Sequence, residues 1–134
     1  MAIEETVYIA YEEAVFIHIV LMRAIGESRY GVASRDLVQS ALARPQQAAI
    51  YESANLIRQS ATLCFGLIKN HPWQGGNKRT ATVLTNEFLK RNGWQIKTSS
   101  HNLIEMVLAV ESDAWKVDEI ENWLRNKVKN IVKK

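Results

Sequence analysis

The sequence predicts an all-α protein made of one compact domain, and three observations support this prediction. Apolar residues recur at helical spacing along almost the whole chain, and no internal repeat or linker interrupts the pattern. The length of 134 residues is that of one ordinary domain. Apolar residues make up 47% of the sequence and charged residues 23%, which is the balance of a globular chain with a sufficient core. We therefore treat residues 1–134 as a single helical domain with about six helices.

The first half of the chain predicts three helices. A first helix is expected from about Tyr11 to Ile25. Ser34 is a good N-cap for a short second helix, which should end near Arg44 because Pro45 follows. A long third helix is predicted to end before the next proline. Its periodic apolar positions are Ile50, Ala54, Ile57, Ala61, Cys64 and Ile68.

The second half predicts three more helices and a short extended segment. A fourth helix should begin inside the sequence GGNKRT and stop at Gly93, after the cations Lys90 and Arg91. The segment from Trp94 to Lys97 is expected to be extended. A fifth helix is expected from about Asn102 to Glu111. A sixth helix is predicted from Val117, Ile120, Leu124, Val128 and Ile131.

The composition restricts the cellular compartment and the classes of partner that we expect for this protein. The single cysteine, Cys64, excludes an internal disulfide framework, and its apolar neighbours predict a buried thiol in a reducing compartment. The acidic N-terminal flank does not resemble a secretory signal, and the apolar run from Ala14 to Met22 is too short to span a bilayer. We expect a soluble, cytoplasmic protein with no membrane partner. The net charge of +3 is compatible with a nucleotide or nucleic-acid partner, but the tail lysines are expected to be simply solvated; they are Lys127, Lys129, Lys133 and Lys134.

The stretch HPWQGGNKRTA places two adjacent cations where a helix is expected to begin. A helix N-terminus already exposes unpaired N–H groups and is electropositive. Lys78 and Arg79 would therefore each destabilise the helix by roughly 0.3–1 kcal/mol unless a bound anion neutralises them. Gly75 and Gly76 let the backbone approach such an anion closely, and successive N–H groups can surround phosphate oxygens. The stretch therefore predicts a phosphate-binding loop, although neither the Walker spacing nor GxGxxG is present. The alternative is a Gly-Gly turn whose cations point into water.

His71 lies immediately before this loop and is the candidate general base. An imidazole titrates near neutral pH, and beside an anion-binding loop it suits the transfer of a phosphate-bearing group. A helix-end or core histidine is the alternative for any single position. His18, on an apolar helix, is interpreted as structural, and His101 as a surface residue or a residue of a helix's N-terminal turn.

The same residues resemble the signature of the Fic/Doc family. The family pattern is HPFx[D/E]GN[G/K]R, and the lysine after the asparagine resembles the Doc ("death on curing") branch. The runs RDLVQSALARPQQ (35–47) and IHIVLMRAIGESRYG (17–31) also resemble Doc-like proteins, so the similarity covers about residues 15–95. The resemblance implies a compact helical Fic/Doc fold, with the motif between two long core helices and Trp73 anchoring the loop in the core.

The resemblance also implies an activity and a role for each motif residue. His71 would deprotonate a target hydroxyl, Asn77 and the Gly75–Lys78 turn would hold phosphate oxygens, and Arg79 would neutralise charge on the nucleotide phosphates. Lys78 is associated with phosphorylation in place of adenylylation. The implied protein is a toxin that transfers phosphate from ATP to a translation factor, which is elongation factor Tu in the family. Because the inhibitory [S/T]xxxE[G/N] motif is lacking, a separate antitoxin is the expected restraint.

One position departs from the family pattern. Gly75 stands where the family carries the metal-coordinating Asp or Glu, so this position offers no side-chain ligand for Mg²⁺. A nearby acid could replace it, or the nucleotide and water could hold the metal alone. Alternatively, the chain is a nucleotide-binding or protein-interaction module with little turnover. The other hypotheses are a protein adenylyltransferase and, with less support, a basic nucleic-acid binder.

The resemblance further implies a flap that docks the target chain by strand addition. In this sequence it would occupy the connection from Arg44 to Tyr51, before the long third helix. Gln46 and Gln47 would present backbone groups there. Arg44 would either approach the nucleotide or act only as a cation at the end of the second helix.

Overall fold

The computed structural model describes residues 5–131 and confirms the all-α class. These residues form six helices and two short strands in the order α1 (Tyr11–Ala24), α2 (Arg35–Glu52), α3 (Leu56–Asn70), α4 (Asn77–Arg91), β1 (Trp94–Ile96), α5 (Ser100–Glu111), α6 (Val117–Lys127) and β2 (Val128–Asn130). None of the helices in this part of the chain combines the length and the apolar character that a bilayer crossing requires.

Helix α3 is the centre of the fold. It packs against α2, α4, α5 and α6, and most of its residues from Gln59 onward are buried. The side chain of Asn55 accepts a hydrogen bond from the N–H of Arg58 (2.9 Å) and so begins the helix. Cys64 is fully buried, as predicted, and burial raises the pKa of its thiol to about 12. An apolar helix surrounded on several sides thus provides the scaffold on which the functional loop begins.

The predicted end of the second helix at Arg44 is wrong, because α2 continues through Pro45 to Glu52. A proline inside a helix removes one backbone hydrogen bond, at a cost of roughly 3 kcal/mol. That cost is offset here, since Pro45 is buried together with Ala41 and Ala48 on the face of α2 that packs against α3. The chain turns only at Ser53, which has φ 53°.

The predicted long third helix is therefore two helices. Ile50 belongs to α2 and is 66% exposed, whereas Ile57 belongs to α3. The helical rhythm of the apolar residues runs across the break, because both helices use the same period. Periodicity alone could not place the turn at residues 53–55.

The predicted docking flap is also wrong at this position. Arg44, Gln46 and Gln47 lie in the middle of α2, where backbone groups are committed to the helix and are unavailable for strand addition. The guanidinium of Arg44 lies over the ring of Phe65, 5.4 Å from its centroid. Arg44 is thus held against α3 and does not line the cleft described below.

The C-terminal part of the chain corrects a further boundary. Helix α6 ends at Lys127, and Val128, predicted to be helical, begins a strand that pairs antiparallel with β1, opposite Ile96. The expected extended segment after Gly93 is confirmed as β1. The backbone N–H and C=O groups of β1 need hydrogen-bond partners. Val128 has a weak helix propensity, and pairing with β1 outweighs it. Lys133 and Lys134 of the predicted solvated tail lie outside the described residues.

Candidate functional site

The loop between α3 and α4 contains the predicted motif and is tied to the segment that follows α1. His71 ends α3 in the left-handed region, with φ 48°. The carbonyl of Pro72 accepts hydrogen bonds from the N–H groups of Ala33 (2.9 Å) and Ser34 (3.2 Å). These bonds and an isolated bridge between Val32 and Trp73 fix the direction in which the loop leaves the core.

Asn77 closes the loop on itself. Its Oδ1 accepts from the N–H of Trp73 (2.9 Å), and its Nδ2 donates to the carbonyl of the same residue (2.9 Å). The side chain of Trp73 is 2% exposed, as the expected core anchor should be. Because both ends of the Asn77 amide are engaged with the backbone, this residue shapes the loop and keeps one N–H for any other contact.

A buried histidine supports the loop from behind. The ring of His18 stacks on Trp73, with the centroids 4.2 Å apart, and its Nε2 accepts from the N–H of Gly31 (3.0 Å). Its Nδ1 therefore carries the proton and donates to Oγ1 of Thr80 on α4 (2.8 Å). Burial lowers the pKa of His18 to about 4, so the ring is neutral at physiological pH. His18 is structural, as interpreted from the sequence.

The two glycines of the loop are required for different reasons, a left-handed backbone at Gly76 and a close approach of backbone at Gly75. Gly76 has φ +65°, and a β-carbon there would lie 2.6 Å from Cε of Met22. At Gly75 the obstacle is backbone, because a β-carbon would collide with the carbonyl oxygen of Arg29. The substitution that distinguishes this sequence from the family pattern thus corresponds to a tight contact with the preceding loop.

The start of α4 has the features of an anion-binding turn. Within residues 5–131, the backbone N–H groups of Asn77, Lys78 and Arg79 have no acceptor, as is usual for the first turn of a helix. The guanidinium of Arg79 has no carboxylate partner among these residues either. Unpaired donors and an unpaired cation at the positive end of a helix favour a bound anion.

His71 and Lys78 share a carboxylate that the sequence did not reveal. Nε2 of His71 lies 3.4 Å from Oε2 of Glu111, and Nζ of Lys78 lies 3.5 Å from the same oxygen. The His71 side chain is 55% exposed and thus accessible to a second molecule. Glu111 belongs to the last turn of α5, far from the motif in sequence, and no local pattern connects it to the loop.

A cleft of about 640 Å³ is lined by both His71 and the anion-binding turn. One end is polar and contains the imidazole of His71 and the first turn of α4. The rest is largely apolar and lies between α1, α4 and α5. The lining residues are Leu21, His71, Gly76, Asn77, Lys78, Arg79, Thr82, Val83, Ser100, Leu103, Ile104 and Val107. The polar end can accommodate phosphate groups, and the apolar walls can receive a flat ring.

The residues of the cleft do not fit a magnesium ion. Position 75 has no side chain and no room for one, and Glu111, the acid that contacts Lys78 of the turn, is also engaged by His71. No cluster of three His, Cys, Asp or Glu side chains that could hold a metal occurs within residues 5–131. Cations provide the positive charge at this turn, so we assign the site no protein ligand for a metal.

Other candidate cations and histidines lie away from the cleft. Arg91, at the far end of α4, pairs with Glu13 (2.8 Å) and Glu87 (2.9 Å). His101 pairs with Glu105 on the surface of α5. Because Arg91 is neutralised, α4 does not present the continuous basic stripe that a nucleic-acid binder would use.

Comparisons with known proteins identify the family and the fold. A model of the Fic/DOC family matches residues 8–89. Among solved structures, the chain is similar to the N-terminal Fic domain of a VirB-translocated Bep effector protein from Bartonella quintana, with a TM-score of 0.50 and 15% identity. The match covers 81% of this chain and 53% of that one, so the chain spans about half the length of this neighbour, and the likeness shows the fold alone. No curated protein matches the sequence.

The matched region contains the whole HPWQGGNKRTA stretch and more than half of the 134 residues. It also contains α1, which carries His18, and the segment of residues 31–34 to which the loop is tied. The chain therefore belongs to the Fic/DOC family.

Proposed function

We propose that this protein transfers phosphate from ATP to a hydroxyl group of a target protein. The observation that carries the proposal is the presence, in one cleft, of an exposed imidazole and an anion-binding turn. His71 is exposed at the polar end of the cleft, where the first turn of α4 and Arg79 offer unpaired donors. A nucleotide whose phosphates bind this turn would have its reacting group beside His71.

The proposed reaction needs one proton transfer and one displacement. His71 accepts the proton of the target hydroxyl as the O–H bond breaks. The hydroxyl oxygen forms a bond to the γ-phosphorus, the bond from that phosphorus to the bridging oxygen breaks, and ADP leaves with the electron pair. Arg79 and the N–H groups of the turn would stabilise the charge on the phosphate oxygens.

Phosphorylation is proposed over adenylylation because of Lys78. By resemblance, a lysine at this position belongs to the Doc branch, and the lysine here lines the cleft beside His71. Its ammonium group would occupy space that a glycine leaves open. By the same resemblance we propose elongation factor Tu as the target.

Two labelled forms of ATP test the reaction class. The purified protein is incubated with elongation factor Tu, or with a cell lysate, and ATP labelled at either the α- or the γ-phosphorus. We expect label on a protein only from γ-labelled ATP. Label from α-labelled ATP would establish an adenylyltransferase instead.

A nucleotide-binding or protein-interaction module is the second candidate, and Gly75 favours it because the cleft supplies no metal ligand. Calorimetric titration with ATP separates the two candidates. Binding of ATP without transfer of either label would establish the module. Absence of both binding and transfer would contradict the transferase and the nucleotide-binding module, and only a protein-interaction module would then remain.

We also propose a separate antitoxin protein that covers the cleft. The apolar walls of the cleft support this idea, since Ile104 on α5 is 57% exposed and adjoins the site. An amphipathic helix laid on these walls would block the nucleotide. Loss of ATP binding on addition of such a partner would test the idea.

A further inference from the structure

Glu111 makes contacts that neither the family match nor the sequence pattern assigns to it. Its Oε2 lies 3.4 Å from Nε2 of His71 and 3.5 Å from Nζ of Lys78. Hydrogen bonds of catalytic groups are often long before substrate binds and tighten in the complex. One carboxylate therefore contacts two residues of the proposed machinery.

This carboxylate supports the site from outside the cleft. Val107, one turn earlier on α5, lines the cleft, as do His71 and Lys78, but Glu111 is not among the lining residues. Glu111 instead contacts the two side chains while leaving the cleft open.

The position of Glu111 is itself fixed. Lys69, in the last turn of α3, donates to the backbone carbonyl of Glu111 (3.4 Å) and to Oδ1 of Asp113 (2.6 Å). This lysine ties the end of α5 to the end of α3, close to His71. The carboxylate thus projects from a point that is held relative to the histidine, as a residue that orients a base must be.

We propose that Glu111 is the positioning residue of His71. Its carboxylate accepts a hydrogen bond from Nε2–H, which places the ring proton on Nε2 and leaves the lone pair of Nδ1 to accept the proton of the target hydroxyl. Within residues 5–131, Nδ1 has no partner that would prevent this. The same carboxylate holds Lys78 beside the imidazole. This role rests on the proposed function and deepens it.

Kinetics of label transfer test the role in three variants. Glu111→Ala removes the acceptor, Glu111→Gln keeps a carbonyl oxygen, and Glu105→Ala is the matched control, since Glu105 pairs with His101 on the same helix but away from the cleft. We expect Glu111→Ala to lower kcat about tenfold or more without raising the KM for ATP, because misorientation of the base affects the reaction step. Glu111→Gln should keep most of the wild-type kcat, and Glu105→Ala all of it.

Two results would overturn the role. One is a wild-type kcat in Glu111→Ala, and the other is a Glu111→Gln protein as slow as Glu111→Ala. Thermal unfolding of each variant checks that slow transfer does not reflect loss of the fold.

A measurement that needs no turnover separates this role from the proposed function. Nitrogen-15 NMR of ligand-free protein at mildly alkaline pH reports which nitrogen of His71 carries the proton. We expect the Nε2–H form in the wild type and a mixture of both forms in Glu111→Ala. If the wild type transfers no label, the proposed function fails while the tautomer still decides the role of Glu111. An unchanged tautomer in Glu111→Ala overturns the role in either case.

Discussion

The α-carbon of Gly75 faces the backbone carbonyl of Arg29 so closely that any side chain at this position would collide with it. An aspartate here would restore the family pattern and, from the sequence alone, would be expected to bring magnesium and activity together. The obstacle is backbone and cannot rotate away, so the loop of residues 26–31 would have to shift. We therefore expect Gly75→Ala and Gly75→Asp to lower the free energy of unfolding by roughly 1–3 kcal/mol, the usual cost of overpacking.

Urea denaturation of both variants measures this loss. Gly66→Ala is the control, because a β-carbon there would meet Cδ of Arg44, a side-chain atom that can shift although the guanidinium packs on Phe65, and would approach the backbone of Ala41 only to 3.3 Å. Alanine also favours the helix. We expect a smaller change in the control. A Gly75→Asp protein as stable as the wild type would show that the loop moves easily, and its magnesium dependence would then deserve measurement.

We predict that His71→Ala abolishes label transfer and leaves the fold intact. Removing a general base typically costs about 10²–10⁴ in rate, whereas a half-exposed imidazole at a helix end contributes little to packing. The rate of transfer from γ-labelled ATP and the circular dichroism spectrum are measured together. His101→Ala, which removes an exposed histidine elsewhere, should leave both unchanged. Transfer at the wild-type rate by His71→Ala would end the general-base assignment.

We predict that Arg79→Ala weakens ATP binding far more than Lys90→Ala does. Arg79 lines the cleft without a carboxylate partner, whereas Lys90 lies in the last turn of the same helix. A hydrogen bond to a charged group contributes about 1.5–3 kcal/mol, so Kd should rise roughly tenfold or more for Arg79→Ala alone. Titration calorimetry measures both constants. Equal effects of the two substitutions would indicate diffuse attraction to the basic surface.

We predict that His18 makes the protein sensitive to acid. Its pKa is about 4 in the folded protein and near 6.5 when unfolded, so the unfolded chain binds more protons between these values. The stabilisation is complete above pH 6.5, decreases as the pH falls, and is lost below about 4. The pKa difference corresponds to roughly 3 kcal/mol.

Denaturant unfolding at pH 7 and at pH 4.5 measures this dependence. In His18→Asn the group that titrates is absent, so the loss of stability on acidification should be smaller than in the wild type. His101→Ala, which removes an exposed histidine, should retain the full dependence. An identical pH dependence in wild type and His18→Asn would contradict the assignment.

Local sequence signals correctly predicted the start of α2 and the end of α4. Ser34 caps α2 and Gly93 follows α4, as expected, because a cap depends on a few neighbouring residues. The same rules failed at Pro45, where packing against α3 outweighs the lost hydrogen bond. They failed again at Val128, whose strand partner lies more than thirty residues earlier.

The sequence by itself determined the helical class and the identity of the candidate site, because the residues of the HPWQGGNKRTA stretch are consecutive and their chemistry is readable in one dimension. Only the tertiary structure decided which distant groups act on that stretch. His18 supports the loop from α1, the Arg29 carbonyl occupies the space beside Gly75, and Glu111 reaches His71 from α5. These contacts join residues on separate elements, and such distances are set when the helices pack, since no propensity or spacing along the chain specifies them.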